Sequence, residues 1–205
     1  LWGLPTDHTA KTGLSDRMAP GRISKLSQSD AVAFRVDFDA APPPPAARYW
    51  RGPVFSVYDG AEWTGVARPR PGRYESTSQP PVSYTVTLEP HDKEWLFALD
   101  FPVAPPLLAS DVGAVLPSSQ LATLMRDQQL LASAPVTQPL RYHQLSVPRS
   151  SFSAGEGRWR AEEAAANLQL PRSFARNQPR TAALAAELRA AHPDDAGFVE
   201  AVLAH

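Results

Sequence analysis

The 205-residue chain carries 22 prolines, and this proline content restricts its regular structure more than any other feature of the sequence. Proline has no backbone N–H and a fixed φ, so it interrupts helix interiors and is excluded from the central strands of a sheet. The first two thirds of the chain therefore have to consist of short strands joined by turns and loops. The prolines at 42–45 form a stiff polyproline loop between two such strands.

Between the prolines, alternation of apolar and polar residues predicts half-buried strands, because side chains point to opposite faces with period two. The inward-facing residues of two such strands are Val32, Phe34, Val36 and Phe38, and then Val82, Tyr84, Val86 and Leu88. The continuously apolar segment at 95–101 predicts a strand covered on both faces.

Shorter strands are predicted at 112–116, 121–125, 128–133 and 139–148, with a turn at Arg126-Asp127. The total is about eight or nine short strands at even spacing, which is typical of an antiparallel β-sandwich or barrel.

Residues 48–64, with the sequence RYWRGPVFSVYDGAEWT, predict an aromatic hairpin that turns at Asp59-Gly60. Aromatic rings on such a hairpin could stack on sugars or peptides, so the hairpin is the best local candidate for a binding surface. Its candidate residues are Tyr49, Trp50, Tyr58 and Trp63. Paired strands also bury aromatic residues opposite one another, and this structural interpretation is the favoured one.

The composition changes after residue 155, where helical patterns begin. Helices are predicted at 158–170 and 177–192, the second starting at Pro179, and Asp194 and Asp195 can cap a last helix. The apolar face of that last helix is Phe198, Val199, Val202 and Leu203. The helices either pack on the sandwich or, as the favoured interpretation, begin a second domain.

The predicted fold class is therefore mainly β with C-terminal helices (α+β), an antiparallel sandwich-like or barrel-like domain followed by two or three helices. The predicted organisation is an extended lead-in at 1–29, a β-sandwich-like domain at 30–155 and a helical segment at 156–205. The chain starts at Leu1 rather than Met and ends inside a helical pattern, so we expect a segment of a longer protein.

Composition also restricts the function. The 20 Lys+Arg residues balance 21 Asp+Glu, whereas nucleic-acid binders normally show a basic excess. There is no Cys, which excludes disulfides, Cys-ligated zinc and a thiol nucleophile in this chain. No run of about 18 or more apolar residues occurs, so no membrane-spanning helix is predicted.

The sequence contains no recognisable catalytic motif. No two histidines have metal-ligand spacing, and HDKE at 91–94 is interpreted as a solvated turn rather than a metal site. Asp37 and Asp39 share one strand face and could in principle act as paired carboxylates on glycosides, but a solvated outer face is favoured. We therefore predict no catalytic residue, no metal site and no cofactor.

Three segments together resemble the bacterial membrane-anchored transglutaminase-like proteins of the TgpA type. They are GLSDRMAPGRISKLSQSDAVAFRVDF (13–38), YWRGPVFSVYDGAEWT (49–64) and EPHDKEWLFALDFP (89–102), and NQPRTAALAAELRAA (177–191) is similar to the entry into the family's transglutaminase core. The resemblance implies an extracytoplasmic region, on the periplasmic face of the inner membrane, between transmembrane segments outside this chain. It also implies a Cys-His-Asp triad in that core, of which no member can be placed on this chain.

The expected role is a non-catalytic domain that positions the transglutaminase core of the same polypeptide, with cell-wall or envelope proteins as substrates of the parent. The parent would then be a protein-glutamine gamma-glutamyltransferase or a related cysteine peptidase. The alternative is a peptide- or glycan-binding β-sandwich module of the cell envelope, and an enzyme complete within these residues is the least favoured reading.

Overall fold

The computed structural model describes residues 15–19, 31–66, 70–74, 79–109, 115–116, 121–147 and 167–205. The strands in these ranges are β1 (Arg17–Met18), β2 (Phe34–Phe38), β3 (Trp50–Arg51), β4 (Val57–Tyr58), β5 (Trp63–Thr64), β6 (Val82–Leu88), β7 (Trp95–Leu96), β8 (Ala98–Leu99), β9 (Phe101–Pro102), β10 (Leu107–Ala109), β11 (Val115–Leu116), β12 (Ala122–Leu124), β13 (Leu130–Ala132) and β14 (Leu140–Val147). The helices are α1 (Phe174–Asn177), α2 (Pro179–Ala191) and α3 (Asp195–Ala204), and Pro45–Ala47 form one 3₁₀ turn in the proline loop. The predicted fold class, mainly antiparallel β with C-terminal helices, is confirmed.

The largest sheet is antiparallel in the order β11-β10-β14-β6-β2, and β9 also pairs with β14. Its register aligns Val36 with Val86 and Val86 with Tyr142, so the predicted inward faces of β2 and β6 come together. Tyr84, Val86 and Leu88 are fully buried, as the period-two pattern predicts. The first of the two alternating strands begins at Phe34, and Val32, which was predicted to face inward, lies before it and is exposed.

The segment predicted as one covered strand, 95–101, is buried apart from the half-buried Phe101, but together with Pro102 it is not one strand. It divides into β7, β8 and β9, which pair with β13, β3 and β14 respectively. Asp100 has a φ of 42°, which turns the chain between β8 and β9. The apolar run is therefore one segment that takes part in three sheets in turn, and the chain has more and shorter strands than predicted.

Two buried tyrosines of the main sheet hold this segment in place. The Tyr84 hydroxyl accepts from Leu99 N at 2.7 Å and lies 2.8 Å from Ser146 Oγ. The Tyr142 hydroxyl accepts from Phe97 N at 3.0 Å and donates to Phe97 O at 2.7 Å. These bonds satisfy backbone groups that have no water to contact, which a buried segment with interrupted pairing requires.

The strands β12 and β13 form the predicted hairpin, with Leu124 opposite Leu130. Its turn includes Arg126-Asp127 and closes with Gln128 at a φ of 67° and a hydrogen bond from Met125 N to Gln129 O at 2.8 Å. The predicted strand at 112–116 is observed as β11, whereas residues 112–114 lie outside the described ranges.

The predicted helix at 177–192 is confirmed as α2, with Pro179 in its first turn. Asp194 caps α3, because its carboxylate accepts from Gly197 N at 2.8 Å. The predicted helix at 158–170 falls largely outside the described residues. None of the described residues of α1, α2 and α3 is buried, and no helix in the described ranges has the length and hydropathy needed to cross a membrane.

Candidate binding surface

The predicted aromatic hairpin at 48–64 is wrong in its extent. Only β4 and β5 form the hairpin, with Tyr58 opposite Trp63, and Ser56 N adds a bond to Thr64 O at 3.0 Å. The strand β3 pairs with β8 instead, and Trp50 lies opposite Leu99. Gly52 lies so close to the Phe97 ring that an added Cβ would be 2.6 Å from its Cε1. This close packing and the missing N–H of Pro53 separate β3 from the hairpin.

The hairpin loop spans four residues, 59–62. The Asp59 carboxylate accepts from Ala61 N at 2.8 Å and from Glu62 N at 2.7 Å, while Asp59 N donates to Glu62 O at 3.1 Å. The hydrogen bonds from these backbone N–H groups, first that of Glu62, lower the pKa of Asp59. Gly60 has a φ of 110°, a conformation that favours glycine. The predicted turn position is therefore confirmed, with the positive φ at Gly60.

Trp50 packs into the core of the main sheet. Its ring centroid lies 5.3 Å from that of Phe34 and 5.4 Å from that of Tyr84, both in edge-on geometry. Phe38 lies 6.3 Å away, and Phe34 in turn stacks on Phe97 at 4.8 Å. These ring contacts give Trp50, which is half-buried, a structural role in the core.

Tyr49 is the exposed member of the candidate set, with a relative exposure of 60%. The Arg51 guanidinium lies 5.5 Å from the Tyr49 ring and 5.3 Å from the Phe101 ring. Its Nε donates to Asp100 O at 3.0 Å and an Nη atom lies 3.3 Å from Asp100 Oδ1, on a carboxylate that is only 6% exposed. The charge of Arg51 is thus paired inside the protein, and the exposed Tyr49 ring lies beside it.

Tyr58 and Trp63 form a separate aromatic pair. Their rings stack with centroids 4.9 Å apart and planes at 26°, and both residues are half-buried. Tyr58 also contacts Phe174 of α1, at 6.4 Å and 70°. Among the described residues, no ring that contacts Trp50 also contacts Tyr58 or Trp63. The structure therefore does not bring the four candidates together into one surface. Their role in ligand binding stays a prediction.

A cluster that the residue patterns did not reveal lies on the outer face of the main sheet. Ser83 Oγ donates to Asp39 Oδ2 and lies 2.8 Å from His143 Nε2, which is 3.3 Å from the same carboxylate oxygen. The hydrogen bond from Ser83 is the main reason that the pKa of Asp39 is lowered. In an acyl-transfer triad the carboxylate binds Nδ1 while the serine faces Nε2. Here both groups face Nε2, so the geometry is that of a surface hydrogen-bond network.

The expectation of a solvated turn at 91–94 is wrong for His91. Its side chain is 9% exposed and its ring stacks on Trp95, with centroids 5.4 Å apart and planes at 7°. Burial lowers the pKa of His91, and its Nδ1 accepts from Lys93 N at 3.2 Å. Lys93 Nζ pairs with Asp16 at 2.8 Å. In the part of the chain that the structure describes, no three His, Cys, Asp or Glu side chains are grouped as metal ligands.

Comparison with known proteins identifies relatives along almost the whole chain. The family model described as TgpA N-terminal domain matches residues 1–153. A protein-glutamine gamma-glutamyltransferase from Pseudomonas aeruginosa is 36% identical over 210 aligned residues, which cover 99% of this chain. The chain spans only 28% of the length of that curated relative.

Solved structures show the same fold. The crystal structure of the periplasmic domain of TgpA from Pseudomonas aeruginosa matches with a TM-score of 0.73 and 33% identity, over 94% of this chain and 61% of that chain. A second structure of that domain, bound to ethylmercury, matches with a TM-score of 0.72 and 34% identity, over 94% of this chain and 62% of that one. On the family match and these structural matches together, the chain belongs to the TgpA N-terminal domain family.

Proposed function

We propose that this chain is a non-catalytic extracytoplasmic domain of a transglutaminase-like protein and that it positions the catalytic core of the same polypeptide. One observation carries the proposal. The chain is 36% identical to a protein-glutamine gamma-glutamyltransferase over 99% of its own length, yet none of its 205 residues is a cysteine. Acyl transfer from glutamine by a thiolate, or amide hydrolysis by the same Cys-His-Asp triad, would take place on residues outside this chain.

The proposed location is the periplasmic side of the inner membrane, with the membrane anchor outside this chain. The similarity to the periplasmic domain of TgpA, at 33% identity over 94% of this chain, supports the location. Cell-wall or envelope proteins would then be the substrates that the parent protein meets.

The exposed apolar face of α3 supports the positioning role. Val199, Val202 and Leu203 are all exposed, the last at 82%. Contiguous apolar side chains on a helix face normally pack against a partner. The catalytic core of the same polypeptide is the proposed partner, because the periplasmic domain of TgpA is longer than the part that this chain covers.

The test is incorporation of a labelled amine into a glutamine-bearing protein. We expect no incorporation by this chain alone and incorporation by the parent protein. Val202→Asp in the parent should lower the rate, because it places a charge on the contact face. Ala185→Asp, at an exposed position of α2, is the matched control and should leave the rate unchanged. Activity of the 205-residue chain alone would refute the proposal.

A binding module of the cell envelope is the second candidate, and the solvent exposure of the Tyr49 ring is the observation that favours it. A sugar or peptide could stack on that ring beside Trp50. Titration of tryptophan fluorescence with muropeptides tests this candidate. A saturable change that Tyr49→Ala abolishes would favour the binding module, and no change would leave the positioning role as the sole proposal.

A further inference from the structure

We infer that Tyr58, Trp63 and Phe174 form a joint that fixes the direction of the C-terminal helices relative to the sheets. In the parent protein these residues would be positioning residues for the reaction, and this consequence rests on the proposed function. The joint itself is a property of the described chain and does not depend on any activity.

The joint is built from rings that contact across a long separation in sequence. The Tyr58 ring stacks on Trp63 at 4.9 Å and meets Phe174 at 6.4 Å and 70°, the edge-on geometry that aromatic quadrupoles favour. The Tyr58 hydroxyl donates to Gly60 O at 2.8 Å, which fixes the phenol ring on its own loop. Pro171 approaches the same loop, since an added Cβ on Gly60 would lie 3.7 Å from its Cγ.

The hairpin side of the joint contacts the rest of the β region. The strand β1 pairs with β5, and Arg17 lies 3.4 Å from Glu62 in the hairpin loop. Asp16, which precedes β1, pairs with Lys93 at 2.8 Å, two residues before the buried Trp95. The hairpin is thus tied, through β1, to the segment that crosses the core.

The helical side is also continuous. Phe174 is the first residue of α1, and Gln178 N donates to Phe174 O at 2.7 Å at the start of α2. Arg189 then connects α2 to α3, because its guanidinium lies 4.0 Å from the Phe198 ring and 3.0 Å from Asp195. An orientation set at Phe174 is therefore passed to both longer helices.

The described helices contribute no residue to the buried core, so core packing does not set their direction. The aromatic contact of Phe174, at the start of α1, can set this direction with only a few residues. A domain that positions a catalytic core needs such a fixed direction, because displacements of about 1 Å at a reaction centre can lower a rate about 100-fold.

The absence of cysteine allows a direct test by spin labelling. Asp37→Cys on β2 and Glu187→Cys on α2 place two labels on exposed positions of an otherwise Cys-free chain. We expect a narrow distribution of label distances by double electron–electron resonance. Phe174→Ala should broaden it at least twofold, and Phe174→Tyr should restore it, since the ring contact is what the joint requires.

Phe198→Ala is the matched control, because it removes a ring from the same helices without touching the hairpin, and the distribution should stay narrow. A second label pair within the main sheet, Asp37→Cys with Arg141→Cys, verifies that the sheet is intact in each variant; because the two positions lie only two strands apart, their coupling is measured by continuous-wave line broadening. A Phe174→Ala distribution as narrow as that of the unsubstituted background would overturn the joint.

Amine incorporation by the parent protein tests the consequence separately. Phe174→Ala should lower kcat about tenfold or more with little change in KM, and Phe174→Tyr should restore it. A broadened distance distribution with an unchanged kcat would overturn the positioning role while the joint stands. A parent without any activity would instead refute the proposed function and leave the spin-label result to decide the joint.

Discussion

Replacing Tyr142 by Phe removes one oxygen atom from the contact between the main sheet and the segment at 95–102. That oxygen accepts from Phe97 N at 3.0 Å and donates to Phe97 O at 2.7 Å, and the side chain is fully buried. Phe97 lies between β7 and β8, outside both short ladders. The substitution therefore leaves one N–H and one C=O buried without a partner.

Each buried polar group that loses its partner costs about 1–3 kcal/mol. The variant also no longer buries a polar hydroxyl on folding, which offsets part of this cost. We therefore expect the free energy of unfolding to fall by about 2–4 kcal/mol. Tyr49→Phe is the matched control, because the Tyr49 side chain is 60% exposed and its loss of a hydroxyl should change stability by less than about 0.5 kcal/mol.

Urea unfolding followed by tryptophan fluorescence measures both variants, with the m-value as a check that the same surface is exposed on unfolding. Equal free energies of unfolding for Tyr142→Phe and Tyr49→Phe, at the same m-value, would refute the reasoning. The Tyr142 hydroxyl would then have no net role in holding the crossing segment.

Three further predictions concern packing, protonation and domain limits. Gly52→Ala should lower the free energy of unfolding by about 1–3 kcal/mol in the same assay, because its Cβ would press on the Phe97 ring; an unchanged midpoint would contradict this packing. Burial lowers the pKa of His91, so the unfolded chain binds its proton more readily and stability is lost as the pH falls below about 6.5. The free energy of unfolding, measured between pH 7.5 and 5.5, should fall as the pH falls, and His91→Gln should make this fall smaller. An equal fall in the variant would mean that other groups cause the pH dependence. Removal of residues 177–205 should preserve one cooperative unfolding transition, since none of the described helical residues is buried; loss of cooperativity would place the helices in the core.

The aromatic stretch at 49–64 shows how far residue patterns lead. Alternation predicted β6 and the inward faces of β2 and β6, a short strand was predicted at the position of β14, and Asp59-Gly60 marked the position of the hairpin turn. No pattern indicated that Trp50 pairs across to Leu99, or that Tyr58 stacks on Trp63 and contacts α1. Partner choice between short strands depends on packing over a long separation in sequence, which local periodicity does not encode.

The surface cluster of Asp39, Ser83 and His143 has the same origin. The strand period placed Asp39 on an outer face, but only the register of three paired strands brings its carboxylate together with the Ser83 hydroxyl and the His143 imidazole. His91 shows the opposite case, in which one residue of a locally polar segment is buried and stacks on the ring of Trp95, while Asp92 and Glu94 stay exposed.

The sequence by itself determined the strand-rich character of the first two thirds, the positions of α2 and α3, the absence of a thiol nucleophile and the family. These properties depend on local backbone limits, side-chain period and residue identity, all of which act over a few residues. Only the tertiary structure decided that the segment at 95–102 pairs in three sheets. It also decided that Trp50 packs in the core, that Tyr49 is exposed and that Tyr58 and Trp63 belong to the joint. Those outcomes depend on which surfaces meet when the chain closes, and contacts between residues far apart in sequence determine them.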